Sequence, residues 1–116
     1  MKKGNAIQTI NDFLGVKVLN KKNSHYSAVT NGYYFFNIKN EKMNEGVFVI
    51  CDDEKNKQYH LLKIHSIANA KEIFDQRESG KYKASYLNIK VNDKLFRSKG
   101  FSLKKYVLAI IKYSDL

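Results

Sequence analysis

The seven residues Tyr33-Tyr34-Phe35-Phe36-Asn37-Ile38-Lys39 set the architecture of this chain. They are rich in aromatic side chains, and Asn31-Gly32 directly before them is a strong tight-turn signal, so we predict a β-strand that begins at Tyr33. Successive side chains of a strand point to opposite faces of the sheet. One face carries Tyr34, Phe36 and Ile38, and the other carries Tyr33, Phe35, Asn37 and Lys39. One of these faces is unusually aromatic for a solvated surface.

A later predicted strand, Tyr82–Val91, nearly repeats this pattern, because Tyr86-Leu87-Asn88-Ile89-Lys90 matches Phe35-Phe36-Asn37-Ile38-Lys39 in residue type. Its core face is predicted to hold Leu87, Ile89 and Val91, and its other face Tyr82, Tyr86, Asn88 and Lys90. Aromatic rings beside Asn and Lys on an open sheet suit stacking of unpaired bases, amide hydrogen bonding and phosphate neutralisation. The alternative is that helices or loops cover both faces.

The rest of the chain alternates between short strands and amphipathic helices. A helix is expected over residues 5–14, before Gly15, and another over residues 67–78, between a Ser66 cap and Gly80. The other predicted strands are Val16–Leu19, His25–Val29, Val47–Cys51, Gln58–Ile64 and Leu95–Arg97, the last joined to Tyr82–Val91 by the turn Asn92-Asp93.

A third helix is predicted to begin at Ser102. Its core stripe would consist of Leu103, Tyr106, Val107, Ile110 and Ile111, which keep helical spacing. The resulting order, α-β-β-β-β-α-β-β-α, predicts an α+β fold with a mainly antiparallel sheet of about five to six strands packed by two to three helices. Because no linker-like stretch interrupts the sequence, we expect one basic domain over residues 1–116.

The formal net charge of +10 is unevenly distributed along the 116 residues. Residues 1–40 carry +5, residues 41–80 carry −2 and residues 81–112 carry +8. Blocks of positive charge on a folded domain attract polyanions, which makes DNA or RNA the expected partner. The alternative is codon bias, because the abundance of Lys, Asn, Ile, Tyr and Phe is typical of an AT-rich genome of a bacterium, phage or mobile element.

Several classes of protein are disfavoured by the same composition. No apolar run reaches the ~18–20 residues that span a bilayer, so we expect no membrane partner. Cys51 is the only cysteine, which excludes an internal disulfide and a thiolate zinc site with two or more cysteines. A single cysteine and the absence of an internal disulfide fit a location in the reducing cytoplasm. No motif indicates a cofactor or a resident metal.

An anion site is predicted within residues 97–105. A helix start at Ser102 would expose unpaired backbone N–H groups beside Lys104 and Lys105, where a phosphate would offset the unfavourable dipole interaction. Lys17, Lys21 and Lys22 form a second basic patch. The nucleic-acid-binding residues predicted from the sequence are Lys83, Tyr86, Asn88, Lys90, Arg97, Ser98, Lys99, Ser102, Lys104, Lys105, Lys21 and Lys22.

Catalysis has weaker signals in the sequence. Asp53-Glu54-Lys55 matches the Asp-x-Lys pattern of metal-dependent nucleases, with Glu41 or Glu45 as a further acid, but such a cluster between two strands is most often a turn. His25, His60 and His65 lack zinc-ligand spacing. A metal-independent ribonuclease that uses His25, His60 and Tyr59 is chemically sensible, although spacing does not favour it.

The sequence therefore predicts a non-catalytic nucleic-acid-binding protein, DNA before RNA, that acts as an accessory or regulatory factor in a bacterial, phage or mobile-element system. A small nuclease, of restriction type or a toxin ribonuclease, is the first alternative. A phage-type protein that binds an acidic host protein is the second.

Overall fold

The computed structural model describes residues 2–113, and over this range the chain has the predicted α+β fold. Its helices are α1 (Lys2–Leu14), α2 (Asn40–Glu45), α3 (Ala70–Ile73) and a 3₁₀ helix at Lys104–Tyr106. Its strands are β1 (Ser24–Ala28), β2 (Tyr33–Lys39), β3 (Val47–Asp53), β4 (Gln58–Ile64), β5 (Asp75–Ser79), β6 (Tyr82–Lys90), β7 (Arg97–Ser98), β8 (Phe101–Ser102) and β9 (Val107–Lys112). Within this part of the chain, no helix has the length and apolar character needed to cross a membrane.

A central sheet of four strands has the order β1-β3-β4-β9. β1 runs parallel to β3, whereas β3 with β4 and β4 with β9 are antiparallel. Every residue of β3 is buried, because both faces of the central sheet are covered. On one face Ile50 and Leu61 pack against Ile7 and Ile10 of α1.

A second, antiparallel sheet with the order β2-β6-β5 covers the other face. Its inner side chains, Phe36 and Leu87 among them, pack against Val49 and Leu62 of the central sheet. Phe36 lies opposite Leu87 in the register, and Phe35 lies opposite Asn88. The molecule thus has three layers, in the order α1, central sheet and second sheet.

β7 and β8 form a separate two-stranded hairpin that is joined to β6 through the Ser98 side chain. The Ser98 hydroxyl accepts a hydrogen bond from the Asn88 backbone N–H at 3.1 Å. The hairpin turns at Lys99-Gly100, where both residues have positive φ angles of 49° and 80°. Asn31-Gly32 before β2 has the same signature, with φ angles of 52° and 82°. This conformation is the one that tight two-residue turns require.

The helix predicted over residues 67–78 is wrong for most of its length. Only Ala70–Ile73 is helical, and Asp75–Ser79 forms β5, which pairs with Tyr82–Tyr86 of β6. Gly80, expected to end the helix, lies in the turn of this hairpin, with a φ angle of 59°. Pairing with an already aromatic, β-forming neighbour has outweighed the helical spacing of Ile67, Ala70 and Ile73.

The predicted C-terminal helix is also wrong. Only Lys104–Tyr106 forms a turn of 3₁₀ helix, and the following Val107–Lys112 is strand β9, which pairs with Gln58–Leu62 of β4. Val107, Ile110 and Ile111 are β-branched, and a free edge of the central sheet was available to pair with them. Helical spacing and strand alternation both fit such a short apolar run, so periodicity alone did not separate them.

The predicted strand Val16–Leu19 is an irregular segment held by one side chain. The Asn11 amide accepts hydrogen bonds from the Val18 and Leu19 N–H groups, at 3.1 and 2.9 Å, and donates to the Leu19 carbonyl at 2.9 Å. Asn11 therefore supplies the backbone partners that a neighbouring strand would have supplied. The predicted strand Leu95–Arg97 is reduced to Arg97–Ser98, because the Asp93 carboxylate accepts hydrogen bonds from the Leu95 and Arg97 N–H groups.

Asp52 links three strands on the α1 side of the central sheet. Its buried carboxylate accepts hydrogen bonds from the hydroxyls of Tyr26 on β1 and Tyr113 after β9. Burial first, and then the bond to Asp52, raise the pKa of both tyrosines well above the usual value, so both remain donors at neutral pH.

Asp52→Ala should lower the free energy of unfolding by about 1–3 kcal/mol, because both hydroxyls lose their acceptor. Chemical denaturation at pH 7 would measure this loss. Glu54→Ala is the control, since the Glu54 ion pair with Lys2 is exposed and should contribute less than about 1 kcal/mol. Equal, small effects of both variants would contradict a structural role for Asp52.

Candidate functional site

The outer face of the second sheet is open. Phe35 is 46% exposed and Tyr33 is 42% exposed, whereas Tyr34 and Phe36 on the inner face are each 2% exposed. The two faces of β2 therefore alternate as predicted, and the alternative that both are covered is wrong. We call the side chains of Tyr33, Phe35, Tyr86, Asn88 and Lys90 the aromatic face.

A ring pair occupies the centre of the aromatic face. The rings of Phe35 and Tyr86 have centroids 5.4 Å apart and an interplanar angle of 32°. The register places Asn88 opposite Phe35 and Lys90 opposite Tyr33, and both polar residues are exposed. An amide and an ammonium group thus border two accessible rings, as the repeated sequence pattern predicted.

Basic side chains lie at both ends of the aromatic face. At one end, Tyr82 has Lys39 Nζ at 5.7 Å and Arg77 Cζ at 5.8 Å from its ring centroid. A groove beside this ring is lined by further lysines, namely Lys71, Lys81 and Lys83. At the other end, a groove contains Lys90, Lys94 and Arg97. The sheet therefore presents aromatic rings between two basic grooves.

The predicted site residues in the 97–105 segment have different surroundings. Arg97 is exposed and its Nε lies 3.2 Å from Asp93 Oδ2, while Lys99 Nζ lies 2.8 Å from Asp75 Oδ1. Ser98 is buried, and its hydroxyl accepts a hydrogen bond from the Asn88 backbone N–H. The Ser102 hydroxyl donates to the Leu95 carbonyl at 2.8 Å.

The sequence predicted an anion site at a helix that begins at Ser102, but no such helix begins there. Residues 101–102 belong to β8, and the following 3₁₀ helix is only three residues long. Lys104 and Lys105 both line a groove with Phe101 and Ser102, but Lys104 also lines a cleft, whereas Lys105 Nζ lies 5.1 Å from the Tyr106 ring centroid. The Lys99-Gly100 dipeptide between Ser98 and Phe101 was the sequence signal for a hairpin at this position.

Lys21 and Lys22 lie beside α1, in the turn before β1. Their turn is held by the side chains of Asn20 and Asn23, and Lys3 Nζ donates to the Lys21 carbonyl at 3.2 Å. Because α1 and the second sheet cover opposite faces of the central sheet, this patch is separate from the aromatic face.

The cleft that contains Lys104 is a feature that sequence reasoning missed. It has a volume of about 480 Å³ and lies where the ends of β3, β4 and β9 meet the turn after β6. Asp53 and His60 line it, with His60 Nε2 3.6 Å from Asp53 Oδ2. The imidazole packs edge-on against Phe96, at 5.3 Å between ring centroids. Only the tertiary fold brings these residues together.

Asp53 is buried and strongly hydrogen-bonded. Its carboxylate accepts bonds from the Asn56 amide at 2.8 Å, the Gln58 amide at 3.2 Å and the Asn56 N–H at 3.3 Å. Burial on its own raises the pKa of Asp53, but these bonds and the contact with His60 outweigh it, so the pKa lies below the ordinary value of an aspartate. Asp53 is therefore an anion at neutral pH.

The residues of the nuclease hypotheses are not assembled. Asp52 faces the α1 side of β3 and Asp53 the cleft side, and within residues 2–113 no three His, Cys, Asp or Glu side chains converge on a metal position. Tyr59 packs with the α1 cluster, on the opposite face of β4 from His60. Burial, and then Lys3, lower the pKa of His25, which lies on β1.

Comparisons of this chain with protein-family models, with curated proteins and with solved structures give no match. The aromatic face and the cleft are therefore the features of the molecule from which its function can be inferred.

Asp53→Asn should destabilise the protein at pH 7 and make its stability less dependent on pH. Because the folded state lowers the pKa of Asp53, its contribution is fully present above the pKa of the unfolded chain, near 3.9, and is lost as pH falls through the folded value. Denaturant titrations of both proteins from pH 7 to pH 3 would measure the difference in unfolding free energy. We expect the unfolding free energy of the wild-type protein to exceed that of the variant by about 1–3 kcal/mol at pH 7, and this difference should become smaller below about pH 4. A difference in unfolding free energy that stays constant from pH 7 to pH 3 would contradict a lowered pKa of Asp53.

Proposed function

We propose that the protein binds single-stranded nucleic acid on the aromatic face and acts as a non-catalytic accessory or regulatory factor. The observation that carries the proposal is the exposed Phe35–Tyr86 ring pair, with Asn88 and Lys90 beside it on the same surface. Stacking of a base on an aromatic side chain contributes about 1–3 kcal/mol and tolerates any sequence, because every base has a π face.

The exposure of the rings supports a ligand of this shape. Phe35 leaves nearly half of its surface in water, although the same strand buries Phe36 almost completely. Exposed aromatic surface is a cost in solution, and a contiguous patch of it commonly marks a binding site. A flat, two-ring surface with an amide at its border matches an unpaired base more closely than it matches a duplex.

The charge distribution supports a polyanion that crosses the whole sheet. Basic side chains border the aromatic face at both ends, and a strand that lies over the rings would pass through both grooves. The basic residues that would contact its phosphates are Lys39, Arg77, Lys90, Lys94 and Arg97, whereas Lys83 belongs to the other face of β6 by strand alternation. Arg97 is held by Asp93, which fixes the position of its guanidinium group.

Binding to single-stranded oligonucleotides should fall steeply with salt. If about six phosphates are contacted, the affinity should drop about 300-fold between 50 and 200 mM salt, because each contact releases condensed counterions. Fluorescence anisotropy with labelled single-stranded DNA, single-stranded RNA and duplex DNA would measure it. A flat salt dependence, or tighter binding of an acidic protein than of any oligonucleotide, would refute the proposal.

Phe35→Ala and Tyr86→Ala should each reduce single-strand affinity by about 1–3 kcal/mol and change the melting temperature little, because Phe35 is exposed and Tyr86 is only partly buried. Phe13→Ala is a matched control, since Phe13 is 44% exposed on α1 and lies outside the aromatic face. Phe36→Ala should instead lower stability by about 3–5 kcal/mol.

Two results would count against the aromatic face. The first is an equal loss of affinity in the Phe13 and Phe35 variants, which would indicate non-specific hydrophobic contact. The second is cleavage of the oligonucleotides by wild-type protein in the presence of Mg²⁺ or Mn²⁺, which would favour the nuclease alternative over a non-catalytic role.

A further inference from the structure

The cleft between the two sheets adjoins the aromatic face at Lys90 and has the size of a ligand site. Its volume of about 480 Å³ falls within the range of small-molecule pockets, which is roughly 300–1,000 Å³. Its apolar walls come from Val107 and Ile110 of the central sheet and from Tyr34 and Phe96, and its charged lining includes the carboxylates of Asp53 and Asp93. The cleft is therefore built from both sheets and not from one loop.

The apolar part of the cleft suits a planar ring. Phe96 is held by its edge-on contact with His60, and Ile110 leaves 53% of its surface exposed on the other side. A heteroaromatic ring that lies against Phe96 and Ile110 buries apolar surface that is otherwise in water. The aromatic ring of Tyr34, itself 2% exposed, forms part of this lining.

Three cations line the cleft together with unused polar groups. Lys90, Lys94 and Lys104 have no carboxylate partner among residues 2–113. The buried His60 Nδ1 has no hydrogen-bond partner in this range, and Asp53 Oδ1 accepts only the bond from Asn56. A carboxylate oxygen has two acceptor sites, so Asp53 can receive a further N–H donor.

We infer that the cleft binds a nucleoside monophosphate unit, with the base against Phe96 and Ile110 and the phosphate at Lys90, Lys94 and Lys104. The ligand must combine a flat ring that carries N–H donors with a group of about two negative charges, and a nucleotide has both. Inorganic phosphate would leave the walls unused. A fatty acid would place hydrocarbon against the Asp53 carboxylate, which costs free energy.

The site is tested with the four common nucleoside monophosphates as probes, in isothermal titration calorimetry at low salt. At least one of them should bind saturably at a ratio of one to one and about tenfold more tightly than its uncharged nucleoside or inorganic phosphate. Absence of saturable binding up to millimolar concentration would overturn the inference. Equal affinity for inorganic phosphate alone would also overturn it, because the base would then contribute nothing.

Two adjacent lysines supply a matched pair of variants. Lys104→Glu should weaken nucleotide binding about tenfold or more, because a charge-assisted hydrogen bond is replaced by repulsion. Lys105→Glu makes the same change of charge one residue away, beside Tyr106, and should weaken binding less than about threefold. Lys94→Glu is a second variant of the cleft and should behave like Lys104→Glu. Equal losses at positions 104 and 105 would mean that only net charge matters and would overturn the site.

The inference shares Lys90 and Lys94 with the proposed function, but its failure can be recognised separately. Phe35→Ala should leave binding of the mononucleotide unchanged, whereas Lys104→Glu should reduce it. The ligand has two possible sources, a free nucleotide or the end of a strand, which an oligonucleotide with and without a 5′-phosphate distinguishes. Competition by the phosphorylated form alone supports the strand end, and competition by neither supports the free nucleotide.

Discussion

The rest of the structure depends on how much of the central sheet the helices of residues 2–113 can cover. The central sheet has two apolar faces, and burial of both requires two layers. Among the helices of residues 2–113, only α1 is long enough to cover one face, and the second sheet covers the other. No helix of comparable length in this part of the chain covers the outer face of the second sheet, because α2 and α3 have six and four residues. The outer face is therefore exposed to solvent, and its side chains are the ones that strand alternation places there in β2 and β6.

The parts predicted correctly from the sequence are those where local signals agree. β2 and β4 were predicted to the residue, because a tight turn or a charged loop bounds each run of β-forming residues. The two faces of β2 also followed from alternation, since Tyr34 and Phe36 are buried while Tyr33 and Phe35 are exposed. In each case propensity, period and turn chemistry pointed to the same structure.

The wrong predictions fall in segments whose apolar residues fit both the period of a helix and the period of a strand. Residues 107–112 and 67–78 have apolar residues at helical spacing, and the choice between helix and strand depended on which sheet edge was free. Those edges are set by residues distant in the sequence, namely β4 for the first segment and β6 for the second. The cleft was missed for the same reason, because Lys104 and Ile110 join Asp53 and His60 of the β3–β4 hairpin only after β9 pairs with β4.

The conversion of the C-terminal segment from helix to strand also changes the role of its lysines. On a helix, Lys104 and Lys105 would share one solvent-facing arc and act as a single patch of charge. In the 3₁₀ turn that leads into an edge strand, both lysines line a groove with Phe101 and Ser102, but Lys104 also lines the cleft and Lys105 lies beside the Tyr106 ring. Two equal charges in adjacent positions are thereby given different environments by the backbone alone. Specific recognition of an anion by a protein this basic requires such a difference, because bulk positive charge attracts every polyanion and selects none.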